Sequence, residues 1–389
     1  MHIEQGYWQP AKGFLTQNLS LHDKAQLVIY FGDKSHLEGK TFYDDLKKSY
    51  PKAHIVGCST GGEILHSEVG DDQCVFSAMA FDHTQVRTVV SPIDSKDSYK
   101  VGEYLGKSLS GHPDLVSIFI LSDGINVNGS ELVRGVNGAL GKDSGVVVTG
   151  GLAGDGDRFQ STLVGCDDYA KGEQVVAVGF YGKKIKVKTG TQGGWKSFGP
   201  RRMITKSDHN VVYTIDDQPA LDVYKKYLGE ESKNLPGSAL YYPLLVYGGD
   251  EKDGVIRTIL SLNEEDKSMV FAGEMPQGWN CQFMWGKFDD LIDSAALSGA
   301  HAKGPGNNQS LSFMISCIGR KLLMGQHIIG EVESAVQALG ENNAHMGFYS
   351  YGEIAPGSVG QGACLNTCGE SLLHNQTMTI TTLWEDEAA

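Results

Sequence analysis

Two stretches of this chain share one pattern, and that repetition limits the folds open to it. Residues 54–64 read HIVGCSTGGEI and residues 347–354 read GFYSYGEI. Setting Gly62, Glu63 and Ile64 on Gly352, Glu353 and Ile354 also brings Gly57 onto Gly347 and Thr60 onto Ser350. The flanks agree. LVIYFGD and a helical stretch precede the first copy, MISCIGR and a helical stretch the second, and VFSAMAF or TMTITTL follows. A unit of strand, helix, strand, glycine-bounded turn with Glu, strand thus occurs once in each half, which reads as a distant duplication. The expected fold is α/β to α+β, two domains with mixed sheets.

At roughly 150 residues per domain, 389 residues make two or three domains. Acidic residues outnumber basic ones 47 to 33, and the net charge of -14 opposes attraction to nucleic acid or anionic lipid. No apolar run reaches the roughly 20 residues of a membrane helix, and MHIEQGYWQPAKGF lacks the basic start and apolar core of a secretory signal. A cytoplasmic location follows as the expectation. Seven cysteines, scattered from Cys58 to Cys368, fit reduced thiols better than a disulfide framework.

Strand-like and helical runs alternate through the first half, as in LVIYFG, AHIVG, SIFILSDG and GVVVTGG, with helices over 99–109 and from Ser130, read as a cap, to Leu140. GTQGGWKSFGP, residues 190–200, concentrates Gly and Pro and marks a boundary between domains over 12–192 and 200–383. Helices are expected over 218–228, 288–301 and 328–339, the last with Ile328, Ile329, Val332, Ala335, Val336 and Leu339 on one apolar face.

Gly57-Cys58-Ser59-Thr60-Gly61 satisfies the G-x-S-x-G pattern of a nucleophile elbow. Two features oppose serine catalysis. Tyr349 stands where Ser59 does in the other copy, and GGEILHSEVGDDQ is a poor helix where the elbow requires one. The competing reading makes Cys58, Thr60 and Glu63 part of a turn lining a ligand pocket, with Glu353 their counterpart. In GGLAGDGDRF, containing Asp155, the glycines either let a ligand approach or serve a tight turn; no P-loop or dinucleotide motif is completed. Cys317 and Arg320 end a strand, where Arg320 either clamps an anionic ligand group or pairs with a neighbouring Glu. Tyr349 and Tyr351 alternate along a strand and form either an aromatic wall or core. Cys364, Cys368 and His374 make a weak metal pattern.

These motifs resemble the FIST family, named for F-box and intracellular signal transduction proteins. GCSTGGEI and TGGLAGDG are similar to signatures of its N-terminal module; SCIGR, GFYSYGEI and LLHNQTMTI are similar to those of its C-terminal module, across residues 12–383. The resemblance implies a sensory protein rather than an enzyme. It would bind a small ligand and regulate a separate signalling partner such as a histidine kinase or a cyclic-di-GMP enzyme. Its most specific version is a haem-binding nitric-oxide sensor; no motif picks out an axial ligand, and His345, immediately before the Gly347 turn and so bordering the expected pocket, is the candidate, against an ordinary strand-end histidine. A hydrolase using Ser59, or an interaction scaffold without a ligand, are the alternatives. Assembly into a homo-oligomer stays open.

Overall fold

The computed structural model describes residues 1–15, 19–248, 254–306, 309–340, 343–357, 364–365 and 370–386. Its first unit holds β1 (His2–Gln9), β2 (Leu27–Gly32), α1 (Thr41–Ser49), β3 (His54–Ser59), β4 (Glu63–Leu65) and β5 (Cys74–Ala80). The second holds β6 (Gln85–Pro92), α2 (Ser98–Ser110), β7 (Leu115–Ser122), α3 (Gly129–Leu140), β8 (Val147–Leu152), β9 (Val164–Cys166) and β10 (Gln174–Tyr181). The third holds β11 (Ile185–Gln192), α4 (Phe288–Ala302), β12 (Ser310–Cys317), α5 (Ile318–Met324), α6 (Ile328–Leu339), β13 (Ala344–Ser350), β14 (Gly352–Pro356), β15 (Ser371–His374) and β16 (Met378–Glu385).

The same four strands recur in the same order, as β3-β2-β5-β1, β8-β7-β10-β6 and β13-β12-β16-β11. The first two strands of each set are parallel and the remaining contacts antiparallel. The mixed-sheet α+β expectation is met, but the duplication legible twice in the sequence is a triplication in space. A copy was hidden in residues 85–181 because its turn, GLAGDGD, has no Gly-Glu-Ile.

Pairing register makes the equivalence residue by residue. Gly32 faces Ser59 and Cys74; Ser122 faces Leu152 and Val175; Ser316 faces Tyr349 and Met378. Gly57, Gly150 and Gly347 are therefore counterparts. A Cβ on them would lie 2.3 Å from the Tyr30 carbonyl oxygen, 1.9 Å from that of Ile120 and 1.8 Å from that of Met314, which are themselves counterparts. These glycines do not bound a turn; they sit within strands, where the parallel neighbour's backbone fills the place of a side chain. Gly347→Ala is expected to reach or exceed the ~1–3 kcal/mol cost of overpacking, because a carbonyl in a sheet cannot yield as a side chain can. Gly237→Ala, where a Cβ meets nothing within 4 Å, is the control that should stay within about 0.5 kcal/mol in urea unfolding.

After its turn each unit passes a strand to another unit. β4 pairs with β13, β14 with β8 and β9 with β3, so the first unit gives to the third, the third to the second, and the second to the first. The units consequently share one core, in which Phe31 packs on Phe348 at 4.5 Å and Phe119 on Phe313 at 4.8 Å.

Residues between β11 and α4 form an inserted unit. Its sheet is built around the long strand Lys196–Asp208 and its antiparallel neighbour Asn280–Trp285, and Ala220–Leu228 is its helix. Ile204, Tyr224, Phe271 and Phe283 contribute to its own apolar core. Two local expectations change. Asn128 rather than Ser130 caps α3, accepting from the Glu131 N–H at 3.1 Å. On α6, Ile329 is half exposed while Glu331 is fully buried. Among the described residues no helix is long and apolar enough to cross a membrane.

Candidate functional site

The ends of β3, β8 and β13 meet. Gly61 N–H donates to the Tyr349 carbonyl (2.8 Å), Tyr351 N–H to that of Leu152 (3.2 Å) and Gly154 N–H to that of Ser59 (2.9 Å). By register these are equivalent donors and equivalent acceptors, so the bonds close a ring around a pseudo-threefold axis. The three turns lie beyond the carboxyl ends of parallel strands, where open α/β sheets bind ligands.

Two turns carry the same polar device. Thr60 Oγ1 donates to Glu63 Oε1 at 2.6 Å and Ser350 Oγ to Glu353 Oε1 at 2.8 Å. Glu63 is 1% exposed and Glu353 0%. Burial pushes both carboxyls up from 4.5 to about 8, although the hydroxyls hold them back. Thr377, within LLHNQTMTI, binds the second oxygen of Glu353 through its N–H (3.2 Å) and Oγ1 (2.7 Å). Glu63 Oε2 has no partner among the described residues. Lys321 reaches the first turn from the third unit, donating to the Gly61 carbonyl at 2.7 Å and pairing with Asp71.

The middle turn differs. Its Asp155 accepts the Gln160 and Ser161 N–H groups at 3.1 Å and meets the Tyr351 hydroxyl. That hydroxyl also accepts the Asp155 and Phe159 N–H groups at 3.1 and 3.3 Å, while the Phe159 ring stacks on Tyr351 at 4.5 Å. The glycines of GDGDRF thus serve a turn closed over Tyr351.

Tyr349 and Tyr351 do not form one wall. Tyr349 reaches Glu331 on α6 at 3.3 Å, and Tyr351 reaches Asp155. Arg320 is fully buried and does not face an open clamp. Its Nε donates to Glu331 Oε1 at 2.6 Å, Nη1 to the Gly193 and Gln376 carbonyls, and Nη2 to the Leu291 carbonyl and Ser294 Oγ. Five donors meet five acceptors, which is the ion-paired structural alternative. Cys317 is 4% exposed, and burial pushes its thiol up to about 12. Cys58 is buried beside Glu63, its thiol raised well above the ordinary range by burial.

Ser59 is fully buried and followed by a turn and β4, with no helix. Its Oγ accepts the Leu163 N–H at 2.9 Å. Ser59→Ala should cost about 1–3 kcal/mol by orphaning that N–H, and a fluorophosphonate should label neither form; labelling of Ser59 would restore the hydrolase reading. His345 is 1% exposed and its Nε2 meets the Gly340 carbonyl at 3.1 Å. It stands at the opposite end of β13 from Ser350, roughly 17 Å away at ~3.3 Å per residue, so it does not border the turns. His374 is buried with its Nε2 on the Ala355 carbonyl; Cys368 lies outside the described residues. Among the described residues no group of three or more His, Cys, Asp or Glu is placed to hold a metal ion.

Thr377, Lys321 and Glu331 were missed as partners. The recurring hydroxyl-x-x-Glu was the available signal for the turns; nothing local marks residues that act from another unit.

Triplicated mixed sheets with buried strand-end carboxylates define the α+β architecture of this chain. The FIST N domain matches residues 26–218 and the FIST C domain residues 220–356, and the chain belongs to this family. FIST domains generally serve signal transduction by binding small ligands. The uncharacterized protein MJ1623 of Methanocaldococcus jannaschii is 24% identical over 335 residues, spanning 77% of this chain and 61% of its own length. This chain therefore matches less than two thirds of that relative. PurLQS from Thermotoga maritima aligns over 84% of this chain and 74% of its own at 8% identity and a TM-score of 0.21, too low to bear on fold or function.

Proposed function

We propose that this chain is a sensory module that binds a small molecule at the strand-end turns and regulates a separate signalling protein, such as a histidine kinase or a cyclic-di-GMP enzyme. One observation carries the reading: Glu63, buried at the ring of turns, keeps a carboxyl oxygen without a partner among the described residues. Buried polar atoms are nearly always paired, and an orphan that weakens the fold points to a partner supplied from outside. The test is mass spectrometry of small molecules released on denaturing the purified protein. Wild type and Glu264→Gln, an exposed carboxylate of the inserted unit, should carry the same molecule, and Glu63→Gln should lose it. A molecule retained by Glu63→Gln would move the site elsewhere.

Haem sensing of nitric oxide is the more specific version. In its favour, His345 Nδ1 is buried without a partner among the described residues. Against it, the ring is enclosed, its other nitrogen is engaged, and the turns lie at the far end of the strand. These residues do not fit an axial site beside the turns. Haem titration decides the point: a Soret band that His345→Ala removes would support this version, and no band in wild type would end it.

A further inference from the structure

The first and third turns descend from one device, yet only one is closed. Gln73 and Thr377 are counterparts, since each precedes the strand residue facing the end of the central strand, Cys74 opposite Gly32 and Met378 opposite Ser316. Their backbones accept equivalent hydrogen bonds, the Gln73 carbonyl from the Asp33 N–H at 2.9 Å and the Thr377 carbonyl from the Cys317 N–H at 3.2 Å. Their side chains differ. Thr377 turns its hydroxyl onto Glu353, whereas the Gln73 carboxamide lies over Gly70, where a Cβ would meet its Nε2 at 1.9 Å. The donor that Glu353 receives from the chain is missing at Glu63.

Charged groups of both signs surround the gap. Asp33 and Asp71 act on Glu63 from its own unit, and the thiols of Cys58 and Cys74 lie near it. The facing cation is Lys321, which is held by the Gly61 carbonyl and Asp71; Arg158 lies farther out, 3.7 Å from Asp33. With Asp71 paired to Lys321 and Asp33 beside Arg158, the charge left over is that of Glu63 itself once ionised, which a cationic donor offsets and a neutral one does not.

We propose that Glu63 Oε2 is the recognition point for a ligand carrying a primary ammonium group, whose N–H takes the place that the Thr377 hydroxyl fills in the third unit. This rests on the reading of the turns as the sensory site and names the ligand chemistry for the first turn alone. A carboxyl with its pKa at about 8 is mostly protonated at neutral pH, so an arriving ammonium group leaves Glu63 ionised and its proton passes to the solvent.

Isothermal titration at neutral pH with methylammonium chloride tests this, with tetramethylammonium chloride, which has no N–H, as comparison. Methylammonium should bind wild type and Glu264→Gln, with a heat that depends on the buffer because protons are released; tetramethylammonium should not bind. Glu63→Gln should weaken binding roughly ten- to hundredfold, the loss of a hydrogen bond to a charged group. Gln73→Thr should do the same by supplying the missing hydroxyl internally, and it should raise the melting temperature, which separates closure of the site from damage to the fold. Equal binding of the two ions, binding that survives both substitutions, or no methylammonium binding to wild type would each overturn the proposal. The sensory reading is judged apart from it, by whether Glu63→Gln loses a co-purifying molecule of any chemistry.

Discussion

Arg320→Ala is expected to cost about 3–5 kcal/mol of stability, the largest effect of any single substitution named, read as a lower urea midpoint. The guanidinium is 0% exposed and paired with Glu331, itself 0% exposed, at 2.6 Å. Removing it strands a charge in the core and takes a donor from each of three carbonyls: that of Gly193, that of Leu291, which keeps the Ser294 hydroxyl at 2.7 Å, and that of Gln376, which keeps the Trp195 indole N–H at 2.8 Å. Those acceptors come from the segment before the inserted unit, from α4 and from the turn before β16, so one side chain ties three distant parts of the chain together. Arg320→Lys should recover little, because an ammonium group has three donors where the guanidinium uses five. A double replacement, Arg320→Met with Glu331→Leu, should lose less than Arg320→Ala alone, since no unpaired charge remains.

The second large effect is a fall in stability as pH rises from 6.5 to about 8. Glu63 and Glu353 titrate near 8 in the folded chain and near 4.5 when unfolded. Between those values the folded state holds more protons, so their contribution is complete below 4.5 and is lost as pH rises through 8. His345 and His374, lowered by burial from 6.5 to about 4, act oppositely: across 4 to 6.5 the unfolded state binds more protons and stability rises with pH. The two pairs offset each other up to 6.5, and above it the glutamates act without that opposition. Two protons across that interval, at about 1.36 kcal/mol per proton per pH unit, set an upper limit of about 4 kcal/mol. His54, raised mainly by its hydrogen bond to Asp167, adds a smaller decline of the same sign. Urea unfolding at a series of pH values should show the slope in wild type, and a Glu63→Gln, Glu353→Gln double variant should flatten most of it.

The repeat was legible because Gly57 and Gly347 answer a backbone demand that no other residue meets, and because Thr60 with Glu63 and Ser350 with Glu353 form pairs within four residues. Local constraints leave local marks. The middle copy kept only the backbone demand, at Gly150, and replaced the carboxylate device with Asp155 closed over Tyr351 from another unit. Without the polar letters, its single glycine was indistinguishable from the others in a glycine-rich chain. Partnerships across units were illegible for the same reason: that Arg320 meets Glu331, that Thr377 closes Glu353 and that Lys321 crosses to Gly61 depend on strand exchange. The amphipathic pattern of α6 points Ile329 inward because apolar periodicity cannot register that a buried arginine will require Glu331. His345 borders a turn in the sequence only if Gly347 begins that turn, and Gly347 lies inside the strand.

Two buried carboxyls stand at equivalent strand ends, one closed by the chain and one left open. Carbon-13 NMR titration of the glutamate side chains, assigned through Glu63→Gln and Glu353→Gln, tests that difference most directly. Both resonances should titrate near 8, and only that of Glu63 should move to lower pH when methylammonium chloride is added. Two resonances titrating near the ordinary 4.5 would show solvated carboxylates and contradict a buried, half-open site.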